Sequence, residues 1–103
     1  MILAKFQKNQ GTLDGFEITG HSGYAERGSD VVCAAVSSAV QLTLNLLNDL
    51  GAEPEIFIGD NVIRCKAVRT SNVSTIILND LTEHFESIVE EYPQTIKITI
   101  SEV

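Results

Sequence analysis

The strongest constraint on the fold is a helical pattern in the middle of the chain, flanked on both sides by strand-like segments. Over residues 30–50, apolar side chains recur at steps of three and four positions, which is the spacing of one helix face. Ser29 or Asp30 can cap the start of this helix, and Gly51 can end it in the left-handed conformation that glycine tolerates. We therefore expect a long helix here, preceded by a polar loop over residues 20–29.

The flanking segments predict the rest of the architecture. Alternating or β-branched runs predict strands over residues 2–7, 16–19, 55–58, 62–68 and 95–100, and a second helical pattern covers residues 73–92. Turn residues at 9–11, 14–15 and 59–61 separate the strands. The order ββαββαβ predicts an α+β fold with two layers, a five-stranded mixed sheet and two helices on one face. The length of 103 residues predicts a single domain over residues 1–103.

The second face of this sheet needs a cover in the predicted arrangement. Alternation supplies apolar residues mainly to one face, and we expect Leu3, Phe16, Ile18 and similar residues on the other. A homodimer is one way to bury them.

Composition and charge exclude several classes of function. Fourteen acidic residues against seven basic ones give a net charge of −7, and no cluster of Lys and Arg is present, so direct binding of nucleic acid is not expected. The acidic balance suits a cationic partner, or it serves solubility alone. No apolar run of about 20 residues and no signal-peptide pattern is found, which predicts a cytoplasmic protein without membrane association.

The two cysteines and two histidines predict neither a disulfide nor a metal site. Cys33 and Cys65 are far apart, and with His21 and His84 they lack the short paired spacing of structural zinc ligands, so no metal or cofactor is expected. Cys65 alternates with apolar neighbours and is expected in the core. His84 lies near the edge of the second helix's apolar face, where a structural or solvent-facing role is expected.

Cys33 and His21 are the residues that indicate chemistry. With Asp30 as the cap, Cys33 becomes the third residue of the first helix, beside unpaired backbone N–H groups that favour a thiolate. His21, twelve residues earlier, can act as general base or imidazolium partner and then protonate a leaving amine. Asp30 can also orient His21, and Ser37 can hydrogen-bond near the thiol one helical turn later.

Alternative interpretations of the same residues stay open at this point. Cys33 can be a small buried apolar residue, and His21 an ordinary loop residue. Gly20, Gly23 and Gly28 suggest a loop that closes on a substrate, or simply a surface loop. The helix N-terminus can also bind an anion, although Asp30 argues against that.

The segment from Gly20 to Ser37 resembles the signature of the ribosomal-processing cysteine protease family, called Prp. The matching positions are Gly20, His21, Tyr24, Gly28, Asp30, Val31, Val32, Cys33, Ala34, Ala35, Val36 and Ser37. Family members often carry alanine where this chain has Ser22. The similarity in length and element order extends over essentially the whole chain.

The resemblance implies an endopeptidase that uses a His21/Cys33 dyad and a thioester acyl-enzyme. Its implied substrate is the N-terminal extension of a large-subunit ribosomal protein, cut after an aromatic pair, and its implied assembly is a homodimer. A substrate loop containing Gly20, Ser22, Gly23, Tyr24 and Gly28 would grip that extension. The alternative is a non-enzymatic, ribosome-associated module that binds a peptide or assists assembly without cutting.

Overall fold

The architecture has two layers, a five-stranded sheet and a pair of helices. The computed structural model describes residues 1–20 and 27–102, with backbone only for residues 27–30. The elements are β1 (Ile2–Asn9), β2 (Thr12–Thr19), α1 (Arg27–Asp49), β3 (Pro54–Gly59), β4 (Val62–Ala67), α2 (Asn72–Glu91) and β5 (Ile96–Glu102). This order confirms the predicted ββαββαβ arrangement and the α+β class.

The sheet is mixed, with strand order β3-β4-β2-β1-β5. Strand β1 pairs antiparallel with β2 and parallel with β5, while β4 pairs antiparallel with both β2 and β3. The parallel pair requires a crossover connection, which α2 provides between β4 and β5. Strands β3 and β5 are therefore the two edges of the sheet.

The first hairpin turns earlier than one of the sequence signals suggested. Gln10 and Gly11 both have positive φ, of 54° and 80°, so they form the tight turn between β1 and β2. Asp14 lies within β2, as the extra residue where the pairing shifts from Gln7↔Gly15 to Lys8↔Leu13. The predicted turn at residues 14–15 is therefore wrong; this dipeptide marks a β-bulge.

The core fills the space between the sheet and the helices. Its centre is an aromatic row in which the ring of Phe6 lies 6.1 Å from that of Phe85 on α2 and 6.0 Å from that of Phe16 on β2. Phe16 pairs with Phe6 and Ile18 with Ala4, so these side chains share the helix-covered face. The expectation that Phe16 and Ile18 lie on the opposite face is wrong, because the bulge and strand register point them inward.

The opposite face of the sheet, which we call the open face, is largely charged. Strand register places four of the seven cationic residues on it, namely Lys5, Arg64, Lys66 and Lys97. Arg64 forms a 3.3 Å ion pair with Glu17 and lies 4.7 Å from the centre of the Phe57 ring. Leu3 is half-buried there, as expected. A polar open face leaves little apolar area for a homodimer to bury.

Helix α1 starts earlier than predicted, at Arg27 instead of Asp30. Its end agrees with the prediction, since Gly51 has a φ of 86°. Residues Val31–Asp49 are long and apolar enough to span a membrane. In this fold, however, a stripe of five side chains on that helix is buried in the core, as in a core helix of a two-layer fold. The stripe is Val32, Val36, Val40, Leu44 and Leu47.

Helix α2 starts with a capping arrangement that the sequence interpretation missed. The side chain of Ser71 accepts a hydrogen bond from the Ser74 N–H, and the Ser74 hydroxyl accepts one from the Ser71 N–H, at 3.3 and 2.8 Å. Two otherwise unsatisfied donors of the first turn are thereby paired. Tyr92 is the C-cap, just before Pro93.

Candidate active site

A cleft of about 270 Å³ lies between α1 and the ends of β2, β3 and β4, and Cys33 lines it. We call it the Cys33 cleft. Its remaining lining is mostly apolar: Ile2, Ile18, Val36, Val40, Ile58, Val62 and Ile63, with Gly20, Ser37, Gly59 and Asn61 at polar or backbone positions. Such a surface can hold an apolar side chain beside a thiol.

Cys33 lies in the second turn of α1. It is the seventh residue of the helix that starts at Arg27, and it is half-buried against the core. The prediction that Cys33 is the third helical residue and that Asp30 caps the helix is wrong, because Asp30 is the fourth residue inside it. The N–H groups of the first helical turn belong to residues 27–30, and the field of a helix end falls off within one turn. Cys33 therefore lies beyond the first turn of α1, where the field of the helix end is weak.

Gly20 closes the end of β2 at the cleft. Its φ is 83°, and its N–H donates a 3.1 Å hydrogen bond to the Asn61 carbonyl oxygen. A Cβ at this position would lie 2.7 Å from the carbonyl oxygen of Met1. Both the backbone conformation and the close approach require glycine at this end of β2.

The structure brings together three of the predicted site residues: Gly20, Cys33 and Ser37 all line the Cys33 cleft. Ser37 is exposed and lies one helical turn after Cys33. Four others, His21, Ser22, Gly23 and Tyr24, lie outside the described residues. Gly28 and Asp30 belong to α1, where the backbone alone is described.

The two other candidates have the structural positions that the sequence predicted. Cys65 is buried in the core, and His84 is exposed on α2. Among the described side chains, those of residues 1–20 and 31–102, no three His, Cys, Asp or Glu groups approach closely enough to bind a metal ion. Cys33 is therefore the reactive group to consider in the described cleft.

Burial of Cys65 has a measurable consequence at alkaline pH. Burial raises the pKa of the Cys65 thiol from 9.0 to about 11. The folded state thus favours the neutral thiol, and this contribution to stability is complete below pH 9 and is lost as the pH rises through 11. We expect it to amount to about 2–3 kcal/mol of the free energy of unfolding.

Urea denaturation across this pH range, with the Cys65→Val variant beside the unmodified chain, measures that contribution. The variant is expected to lose less stability between pH 9 and 11. If the free energies of unfolding of the two proteins changed with pH in the same way, the predicted contribution of Cys65 would be contradicted.

Most of the residues that line the cleft were not predicted from the sequence. Ile18, Ile58 and Ile63 come from three different strands, and only the sheet order places them beside Cys33. Strand alternation predicts which face such residues occupy but not which strand lies under α1. The sequence indicated only Gly20, Cys33 and Ser37 among the residues that line the cleft.

Three comparisons with known proteins agree on one family. The family model described as Cysteine protease Prp matches residues 1–97. The Ribosomal processing cysteine protease Prp of Bacillus subtilis (strain 168) is 45% identical over 47 residues, which cover 45% of this chain and 42% of that protein, less than half of it. The protein of the same name from Staphylococcus aureus (strain Mu50) is 29% identical over 94 residues, covering 87% of this chain and 89% of that protein.

Solved structures show the same fold. The S. aureus ribosomal processing protease Prp with a covalently linked product peptide superposes with a TM-score of 0.86 at 27% identity, covering 97% of this chain and 99% of that chain. Its complex with a substrate peptide gives 0.86 at 26% identity over the same shares. SMU.848 from Streptococcus mutans gives 0.80 at 25% identity, covering 100% of this chain and 96% of that chain.

Proposed function

Because the chain belongs to the cysteine protease Prp family, we propose that it is an endopeptidase that removes the N-terminal extension of a large-subunit ribosomal protein. One observation carries this proposal: a half-buried cysteine on α1 lines an apolar cleft. The S. aureus protein of matching fold has been crystallised with a substrate peptide and with a covalently linked product peptide.

In the proposed reaction, Cys33 is the nucleophile and His21 the acid–base partner. His21 takes the proton of the Cys33 thiol, the Sγ attacks the scissile carbonyl carbon, and the C–N bond breaks as His21 passes that proton to the departing amine. The product is a thioester between Cys33 and the carbonyl of the extension. Water, deprotonated by His21, then hydrolyses that thioester and regenerates the thiol. This sequence uses no metal and no cofactor.

Other residues have supporting roles in this proposal. Ser37 borders the cleft near Cys33 and can donate a hydrogen bond to the peptide backbone. Asp30, which does not cap α1, is proposed to orient His21. Gly20, Ser22, Gly23 and Tyr24 form the proposed substrate loop, since Gly20 ends β2 at the edge of the cleft, whereas Gly28 lies in the first turn of α1.

Charge supports a basic partner for the helical side of the molecule. Five carboxylates are exposed on α2: Asp80, Glu83, Glu86, Glu90 and Glu91. A concentration of negative charge raises the encounter rate with a cationic protein, and salt screens the effect. We propose that this surface attracts the body of the ribosomal protein while the extension enters the cleft.

Mass spectrometry of the extended ribosomal protein after incubation tests the proposed activity. The unmodified chain is expected to release one N-terminal fragment, and a substrate that already lacks the extension is expected to stay intact. His21→Ala is expected to abolish the release without unfolding the protein, as judged by its circular dichroism. Persistent binding of an uncut extension would indicate the peptide-binding module instead.

We also propose that the chain forms a homodimer through the groove between its helices. This groove, of about 530 Å³, is bordered by apolar side chains of both α1 and α2 that remain exposed or half-buried, including Leu42, Leu46 and Ile77. The exposed fraction of Leu42 is 60%. A two-fold axis over the groove would bury the same residues on both copies.

Light scattering coupled to size-exclusion chromatography tests this assembly. Leu42→Glu is expected to give a monomer, because a carboxylate would be buried in the interface without a partner. Leu50→Glu is the matched control, since Leu50 is similarly exposed, at 55%, but is not among the residues that line the groove. A monomeric unmodified protein would contradict the proposal.

A further inference from the structure

We propose that the outer edge of β3 binds the substrate in extended conformation, as a sixth strand that leads the scissile bond into the Cys33 cleft. The inference rests on the proposed peptidase function and specifies how the peptide is held. In the sheet formed by the described residues, β3 is an edge strand, so one row of its backbone groups has no partner among those strands. An added peptide strand satisfies such groups with main-chain hydrogen bonds.

The hydrogen bonds of the β3–β4 hairpin identify the outward-facing groups. The Val68 N–H donates to the Glu53 carbonyl oxygen, so residue 53 faces β4. Gly59 and Val62 pair across a two-residue turn, which places residue 59 on the same side. Alternation then directs the backbone of residues 54, 56 and 58 away from the sheet. Proline has no N–H, so Ile56 and Ile58 supply the outward donors.

The side chains of this edge are unusually apolar for their exposure. Ile56, Phe57 and Ile58 are consecutive, and their exposed fractions are 44%, 51% and 63%. Ile56 and Ile58 are on the helix-covered face of the sheet, where Ile58 borders the Cys33 cleft, whereas Phe57 is on the open face. Edge strands are commonly protected by charge or proline, and here such protection is confined to the first two residues, Pro54 and Glu55.

The outer edge of β3 is continuous with the Cys33 cleft, which indicates that the strand bound there is the substrate. Ile58 and Gly59 belong to β3 and also line the Cys33 cleft, so the outer edge runs directly into it. Ile56 and Ile58 are about 7 Å apart along an extended chain, so a peptide paired with both reaches the cleft within a few residues. The other edge strand, β5, lies at the far side of the sheet.

Pairing at this edge also predicts a side-chain preference. Alternate residues of an added strand point to opposite faces of the sheet. Those on the helix-covered face would meet Ile56 and Ile58, and those on the open face would meet Phe57 and the guanidinium of Arg64. We therefore expect apolar residues at alternate positions of the bound extension.

An Ile56→Pro variant removes one outward donor and leaves the ladder to β4 intact. Ile56→Ala shortens the side chain and keeps the N–H. Ile100→Pro is the matched control on the opposite edge, where register directs the N–H outward and the exposed fraction is 51%. Peptide affinity is measured by fluorescence anisotropy in the Cys33→Ala background, and kcat/KM in the active protein.

Ile56→Pro is expected to weaken peptide binding and lower kcat/KM by about three- to tenfold, the effect of one lost hydrogen bond. Ile100→Pro is expected to change neither. Equal peptide affinities for Ile56→Pro and the unmodified protein would overturn the inference. An equally large loss of affinity in Ile56→Ala, which keeps the N–H, would overturn it as well. A monomeric Ile56→Pro protein beside a dimeric parent would show that a second copy occupies the edge, which also overturns it. Absence of cleavage with an edge-dependent affinity would instead refute the peptidase function alone.

Discussion

Replacement of Cys33 by alanine is expected to lower kcat/KM for the extended substrate by at least about a thousandfold, because it removes the nucleophile on which both steps depend. The change deletes one sulfur atom from a half-buried position at the border of the core. We therefore expect the variant to fold and to bind the peptide with nearly unchanged affinity. Single-turnover cleavage, followed by mass spectrometry, measures the loss.

Two variants give this experiment its controls. Cys33→Ser keeps the size of the side chain but supplies a much weaker nucleophile, and it is expected to be as inactive as Cys33→Ala. Cys65→Val alters the other cysteine, which is buried in the core, and is expected to retain cleavage. A Cys33→Ala protein that cleaves at more than a tenth of the normal rate would exclude a thioester mechanism at this residue.

Replacement of Phe85 by alanine is expected to destabilise the fold by about 3–5 kcal/mol. Phe85 is fully buried, and its ring packs against that of Phe6, which joins α2 to the sheet. Truncation leaves a cavity at the centre of the core. Domains of this size are stable by about 5–15 kcal/mol, so the loss is a large share of the total. Urea denaturation of the two proteins measures it.

Phe57→Ala is the matched control for that prediction. It removes the same ring from an exposed position on β3, where the main contact is the guanidinium of Arg64. The expected loss is about 1 kcal/mol or less. Equal losses for the two variants would mean that the described core does not hold the layers together.

Much of the fold was predictable because its elements have regular patterns. The order of strands and helices followed from alternation and helical spacing, and Gly51 marked the end of α1. Failures occurred where a local signal had two interpretations. Asp14-Gly15 is a turn dipeptide that here forms a bulge, and Asp30 is a capping residue that here lies inside α1. In both cases, long-range pairing or packing outweighed the local preference.

The inward face of α2 is another feature that the local sequence pattern did not predict correctly. Hydrophobicity favours Val73 and Ile76 as core positions, but both are exposed, whereas Ser74 and Leu78 are buried. Ser74, which takes part in the capping arrangement with Ser71, begins a buried stripe that continues through Leu78, Leu81 and Phe85. A small serine replaces a β-branched residue at the inward position, which hydrophobicity alone does not predict.

The site was predictable in its chemistry but not in its shape. A cysteine near a helix start, preceded by a histidine on a glycine-containing loop, indicated a thiol nucleophile. The apolar cleft beside it is assembled from α1 and strands β2, β3 and β4, which only the sheet order brings together. The sequence likewise did not predict that β3 is an edge strand, because the position of a strand in the sheet depends on the strand order.

The most direct test of the central claim is to capture the covalent intermediate. The protein is mixed with the extended peptide, quenched in acid within one turnover, digested and analysed by mass spectrometry. The account predicts that the peptide containing Cys33 gains the mass of the released N-terminal fragment minus water, and that hydroxylamine removes it. Cleavage that proceeds with Cys33 unmodified at every quench time, or acylation at another residue, would contradict it.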